Sequence, residues 1–161
     1  MMKTTRKLSA LLLAVVMMLL VMTGCSDDGA VDAKTLCVKN VNRARIANQV
    51  TTVTYDSDLD SSAKIITDWY LEYLNGTNTY QGAMNNINRV LNVPIIEGQN
   101  AVEYTDAGLY MMDREAYYSG NYTFKTGDGI STTRGNFVGV YATPYQGKML
   151  VCVLLVHIYR I

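Results

Sequence analysis

The run Met149-Leu150-Val151-Cys152-Val153-Leu154-Leu155-Val156 is an unbroken apolar stretch near the carboxyl end of the chain. A strand with one solvent-exposed face would alternate between apolar and polar residues, so this run predicts a strand that is buried on both faces. A second strand-like segment, Phe137–Ala142, precedes it. A turn over residues 143–147 would join the two as a hairpin with Lys148–Ile161. The rest of the chain must then supply the layers that cover this hairpin.

The residues before the hairpin predict mostly helices. Asp32 is a good N-cap for a helix over 33–47, and Asp56 or Ser57 for a second one ending near Leu74. We also predict an extended segment over 50–55, a short helix over 83–91, a long helix from Thr105 or Asp106 to before Ser119, and strands from residue 121 onward. Helices first and strands last predict an α+β fold, with the helices packed on a small antiparallel sheet.

The first 25 residues are typical of an export signal. Three basic residues precede the apolar run Leu8–Met22, and Gly24-Cys25 follows it. This ending resembles a bacterial lipoprotein signal, in which the cysteine is lipidated. A transmembrane anchor is the alternative, but this stretch of 15 residues falls short of the roughly 20 that span a bilayer. We therefore expect a signal over 1–24, a lipidated tether over 25–32 and one domain over 33–161, held at the cell membrane or outer membrane and facing away from the cytoplasm.

Charge and cysteine content limit the partners of this domain. Without the signal, 11 basic and 14 acidic residues remain, and this weakly acidic balance excludes the basic face that nucleic acids need. We expect acyl chains on Cys25 to attach the protein to the membrane, and stable anchoring needs more than one such chain. Cys37 and Cys152 remain as either a disulfide pair or two buried free thiols.

Three segments, in order, resemble the CAP superfamily (cysteine-rich secretory, antigen 5 and pathogenesis-related proteins). Asn42-Arg43-Ala44-Arg45 is similar to the family's Asn-x-x-Arg, and it is followed by a match to Leu-x-Tyr-Asp-x-x-Leu-x-x-x-Ala at Val53, Tyr55, Asp56, Leu59 and Ala63. Gly98-Gln99-Asn100-Ala101 resembles the family's Gly-Glu-Asn motif, and Val138-Gly139-Val140-Tyr141 its closing strand pair. The resemblance implies an α-β-α sandwich with a central cleft.

The cleft of many CAP proteins is lined by two histidines and two glutamates that hold a divalent metal. Here Gln99 takes the place of the motif glutamate, Tyr122 takes that of a histidine, and His157 is the only histidine in the chain. An amide and a phenol do not replace carboxylate and imidazole as zinc ligands. We therefore expect no metal, no cofactor and no catalytic residue.

Tyrosine is unusually frequent, with 12 tyrosines against two phenylalanines. Tyrosine combines an apolar ring with a polar tip, which suits grooves and interfaces. We therefore predict a cleft with Gln99, Asn100 and Tyr122 as its polar points, which binds a small amphipathic, glycan or protein ligand without catalysis. One alternative is an envelope hydrolase that uses carboxylates among Glu97, Glu103, Asp113 and Glu115; another is a purely structural lipoprotein.

Overall fold

Strand β5 (Lys148–Arg160) lies in the middle of the sheet, as its apolar run predicts. The computed structural model describes residues 31–91, 95–97 and 100–160. The other strands are β1 (Thr54–Tyr55), β2 (Ile95–Glu97), β3 (Asn100–Asp113) and β4 (Phe137–Tyr145). The helices are α1 (Ala33–Ala47), α2 (Asp60–Leu74), α3 (Tyr80–Leu91), α4 (Arg114–Ser119) and α5 (Gly129–Thr132), with a 3₁₀ turn at Ser57–Leu59. Within the described residues the strand order is β1-β4-β5-β3-β2; β1 runs parallel to β4, and the other pairs are antiparallel.

Helices cover both faces of this sheet, so the fold is α+β with three layers. Val151, Val153 and Leu155 belong to a core shared with α1, α4 and α5. Cys152, Leu154 and Val156 belong to a second core shared with α2 and α3. Because successive side chains of a strand point to opposite faces, the continuous apolar run supplies both cores at once.

The hairpin between β4 and β5 is confirmed, with a tighter turn than predicted. Tyr145 pairs with Lys148, so only Gln146 and Gly147 form the loop. Both have positive φ angles, 46° and 79°, as a type I′ turn requires. Strand β4 therefore extends three residues into the predicted turn over 143–147, and β5 begins at Lys148 as predicted.

The long helix predicted from Thr105 or Asp106 is wrong. These residues belong to β3, which pairs with β5 from Asn100 to Asp113 and is interrupted only by a bulge between Tyr104 and Asp106. Helix appears only afterwards, in the six residues of α4. The strands predicted from residue 121 are also absent before β4: residues 121–125 have no regular structure, and α5 follows.

The other helices agree closely with their predicted bounds. Helix α1 begins and ends as predicted, although the Asp32 side chain makes no capping hydrogen bond. The Asp56 carboxylate accepts from the backbone N–H of Asp58 at 3.0 Å and so caps the 3₁₀ turn that leads into α2. Helix α3 starts three residues earlier than predicted. Among the described helices, none is both long and apolar enough to cross a bilayer.

Candidate functional site

The first motif of the family resemblance ties the end of α1 to the segment that leads into β1. The Asn42 amide forms two hydrogen bonds with the backbone of Val53, accepting from its N–H at 2.8 Å and donating to its carbonyl at 2.9 Å. Arg45 donates to the carbonyls of Thr51, Ile130 and Thr133 at 2.7, 2.7 and 3.0 Å. Both residues therefore position backbone, and Arg45 does so from a fully buried site.

Cys37 and Cys152 are both buried and unbridged, which is the second of the two alternatives for this pair. Cys37 belongs to the core on the α1 face and Cys152 to the core on the α2 face, so the sheet separates them. Burial raises the pKa of Cys37 to about 11 and that of Cys152 to about 12. At neutral pH both are therefore protonated thiols and not nucleophiles.

Tyr122 is partly buried, packs against the core on the α1 face and lines neither of the cavities described below. Its ring meets Phe124 edge to face at 5.6 Å, and Phe124 meets Tyr110 in the same way at 4.8 Å. The Tyr122 hydroxyl is buried beside Cys37 and Asn40 without a hydrogen bond to any described residue. Burial, reinforced by the Cys37 thiol, raises its pKa above the usual value, so the phenol stays protonated.

The predicted tyrosine- and amide-lined cleft is not formed by the described residues. Tyr110 and Tyr117 pack on the α1 face, Tyr104 packs on the α2 face with its hydroxyl 3.2 Å from that of Ser62, and Tyr118 is exposed. Gln99 lies outside the described residues, as do the Asn100 side chain and Cys25, the predicted site of lipid attachment. Strict alternation along β3 would put Tyr104 and Tyr110 on one face. The bulge between Tyr104 and Asp106 shifts the register, so Tyr104 packs with the core on the α2 face and Tyr110 with the core on the α1 face.

A groove of about 410 Å³ lies elsewhere, between α1 and residues 123–126. Ala44, Ala47 and Phe124 supply its apolar surface. Arg43 and Lys125 are exposed and supply two positive charges. Small-molecule sites occupy roughly 300–1,000 Å³ and combine an apolar lining with a few polar groups, and this groove has both properties.

This groove could not be predicted from the sequence, because a loop conformation creates it. Residues 123–126 carry no turn motif that would place them against α1. Their position is fixed instead by Asn40, whose amide donates to the Gly120 carbonyl at 2.9 Å, and by the packing of Phe124 in the core. The only available sequence signal was the small pair Ala44 and Ala47, which leaves room on one side of α1.

The acidic residues of the hydrolase alternative are spread over β2, β3 and α4, and Glu97 and Glu115 lie at opposite ends of β3. Glu97 pairs with Asn100 at one end of the strand, and Glu115 follows Asp113 at the other. Fourteen residues at about 3.4 Å each separate the ends by roughly 40 Å, whereas glycosidase carboxylates lie within about 10 Å of each other. Glu103 is ion-paired with Arg134, and Asp113 faces Lys148 at 3.8 Å. Glu97 and Glu115 therefore do not form a catalytic pair.

Among the described residues, no group of three or more His, Cys, Asp and Glu side chains is arranged to hold a metal ion.

Comparison of the chain with protein-family models, curated proteins and solved structures found no match.

Proposed function

We propose that the chain is a lipid-anchored, extracytoplasmic binding module whose ligand lies in the groove between α1 and residues 123–126. The observation that carries this proposal is the groove itself: an apolar surface of Ala44, Ala47 and Phe124 with Arg43 and Lys125 beside it. A small amphipathic ligand would place its apolar part on that surface and an anionic part near the two cations.

The resemblance to the CAP superfamily is part of the same proposal. Three layers around a central sheet and a closing hairpin support this part of the proposal. The binding module it suggests differs from the family's metal cleft, because the groove contains no histidine and no carboxylate. Non-catalytic binding is therefore the function that these residues support.

An anionic amphipathic dye, 8-anilinonaphthalene-1-sulfonate, tests the groove. We expect saturable, blue-shifted fluorescence with a chain that starts at Ser26, because the rings meet the alanines and the sulfonate meets Arg43 and Lys125. The change Ala47→Glu should weaken dye binding at least tenfold, since it fills the groove and adds a negative charge.

Ile46→Glu is the matched control. Ile46 directly precedes Ala47 on α1, is 63% exposed and does not line the groove. Dye also binds loosely packed states, so each variant must first unfold cooperatively in urea. Equal loss of binding in both variants, or no saturable binding by the parent chain, would contradict a ligand site in the groove.

Anchoring is tested at Cys25. We expect Cys25→Ser to release the protein from the membrane fraction of bacterial cells and to abolish labelling by radioactive palmitate, because the acyl chains supply the membrane affinity. Cys37→Ser is the control, since it removes a thiol that is buried in the domain and should leave the label in place. Membrane retention of the Cys25→Ser protein would argue instead for an uncleaved transmembrane anchor.

A further inference from the structure

A second cavity, of about 290 Å³, lies between the end of α1, the residues before β4 and the end of β5. It shares no lining residue with the groove. Its volume is near the lower end of the range for small-molecule sites, so it suits a compact ligand. Its lining includes Arg45, Arg134 and His157 and no acidic residue.

Arg45 has one nitrogen that its structural role leaves unused. Nε and Nη1 serve the three backbone carbonyls described above, whereas Nη2 is buried and has no hydrogen-bond partner among the described residues. Burial lowers the pKa of the guanidinium, but arginine remains charged near neutral pH. A buried charge is normally compensated by an anion, and the carbonyls supply only partial charges.

His157 lines the same cavity and also has an unused nitrogen. Its Nδ1 is buried without a partner among the described residues, and its ring stacks on Tyr159 at 5.7 Å between centroids. The acid directly opposite on β3 is Glu103. That carboxylate is ion-paired with Arg134, a cavity residue whose side chain is 64% exposed. The nearby acid therefore compensates Arg134 and not Arg45.

Asn136 holds this wall of the cavity in place. Its amide donates to the carbonyl of Ile158 and accepts from the N–H of the same residue, both at 2.8 Å. Because Ile158 follows His157, this double hydrogen bond fixes the backbone that carries the imidazole. A site whose groups are held before the ligand arrives loses less conformational entropy on binding.

We propose that this cavity binds a small oxyanion group, a carboxylate or a tetrahedral phosphate or sulfate, with Arg45 Nη2 and His157 Nδ1 as its donors. The anion accepts one hydrogen bond from each nitrogen and neutralises the buried guanidinium. Charge-assisted hydrogen bonds of this type are the stronger ones in proteins.

Titration calorimetry on the full chain in a neutral detergent at pH 7 tests this site. The probes are inorganic phosphate, sulfate and acetate, with chloride holding the ionic strength constant. We expect saturable binding of at least one probe: phosphate and sulfate alone identify a tetrahedral anion, and acetate a carboxylate. No saturable heat with any of the three would overturn the proposal.

The variant His157→Phe removes Nδ1 while keeping a flat ring against Tyr159, and we expect it to weaken binding about tenfold. Lys39→Gln removes one exposed cation from the same helix as Arg45, at a residue that lines neither cavity, and it should leave the dissociation constant unchanged. An unchanged constant in His157→Phe, or an equal loss in Lys39→Gln, would show that no such site exists.

Because Arg45 also supports the fold, a substitution of Arg45 could abolish binding simply by unfolding the protein. Its role in binding is therefore tested by crystallography. Crystals grown in the anion that calorimetry identifies, with selenate in place of sulfate or phosphate, should show that anion within hydrogen-bond distance of Nη2. Water alone at Nη2, or a carboxylate of the chain itself, would overturn the proposal.

Discussion

The change Gly139→Ala is expected to lower the free energy of unfolding by about 3 kcal/mol, at the upper end of what overpacking commonly costs. Gly139 lies in β4, where the 3₁₀ turn crosses the strand. A Cβ atom at this position would stand 2.5 Å from Leu59 Cβ and 2.8 Å from both the carbonyl carbon and the oxygen of Leu59. Because two of these atoms are backbone, no side-chain rotation relieves the contact.

The matched control is Gly135→Ala, just before the same strand. A Cβ atom there would also be too close to its neighbours, at 2.6 Å, but only to the Leu155 side chain. Because a leucine side chain can shift, we expect a smaller cost, about 1 kcal/mol. Urea unfolding followed by the fluorescence of Trp69, the only tryptophan, measures both variants. Equal midpoints for the two would show that the backbone of Leu59 does not lie against β4.

The same glycine explains why a strand over Val138-Gly139-Val140-Tyr141 could be predicted before the fold was known. Val138 and Val140 are fully buried and face α1, while Gly139 faces the 3₁₀ turn on the other side. In this strand, buried valines on one face alternate with a glycine on the other, where there is no room for a side chain. Such an alternation is visible in the local sequence. The hairpin that follows was predicted for the same reason, since the signal for its turn lies within a few residues.

Strand β3 was missed because its partner is distant in the chain. Residues 105–113 contain Ala107, Leu109, Met111 and Met112, which favour helix slightly on local preference alone. In the fold, β4 pairs with only one edge of the 13-residue strand β5. The backbone N–H and C=O groups on the other edge of β5 also need hydrogen-bond partners. Pairing with β3 along the length of that edge outweighs a local preference of less than about 1 kcal/mol per residue.

The candidate sites were only partly visible for a related reason. Arg45 lies four residues after Val41 and eight after Cys37, so helical spacing does place it on the buried stripe of α1. No local rule, however, reveals that Ile130 and Thr133, about 85 residues later, would offer their carbonyls to it. The groove beside residues 123–126 depends on tertiary contacts in the same way.

Arg45→Met is therefore expected to reduce the free energy of unfolding by about 4 kcal/mol, a large share of the 5–15 kcal/mol typical of a domain. Methionine fills much of the same space but donates nothing, and the carbonyls of Thr51, Ile130 and Thr133 lose their donor. Each buried acceptor left unsatisfied costs about 1–3 kcal/mol. Replacing both partners of a buried ion pair by apolar residues is often harmless. Here the partners are backbone carbonyls, which cannot be replaced. Removing the buried charge therefore offsets only part of the stability lost with the three hydrogen bonds.

Arg43→Met is the control for this change, because Arg43 is exposed on the same helix and its loss should alter stability by less than about 0.5 kcal/mol. Arg45→Lys should fall between the two, since one ammonium group cannot reach three carbonyls with the geometry of the guanidinium. Urea midpoints monitored by circular dichroism rank the three variants. If Arg45→Met were as stable as Arg43→Met, apolar packing alone would have to hold α1 against α5 and against the segment before β1. The arginine of the Asn-x-x-Arg motif would then have no structural role.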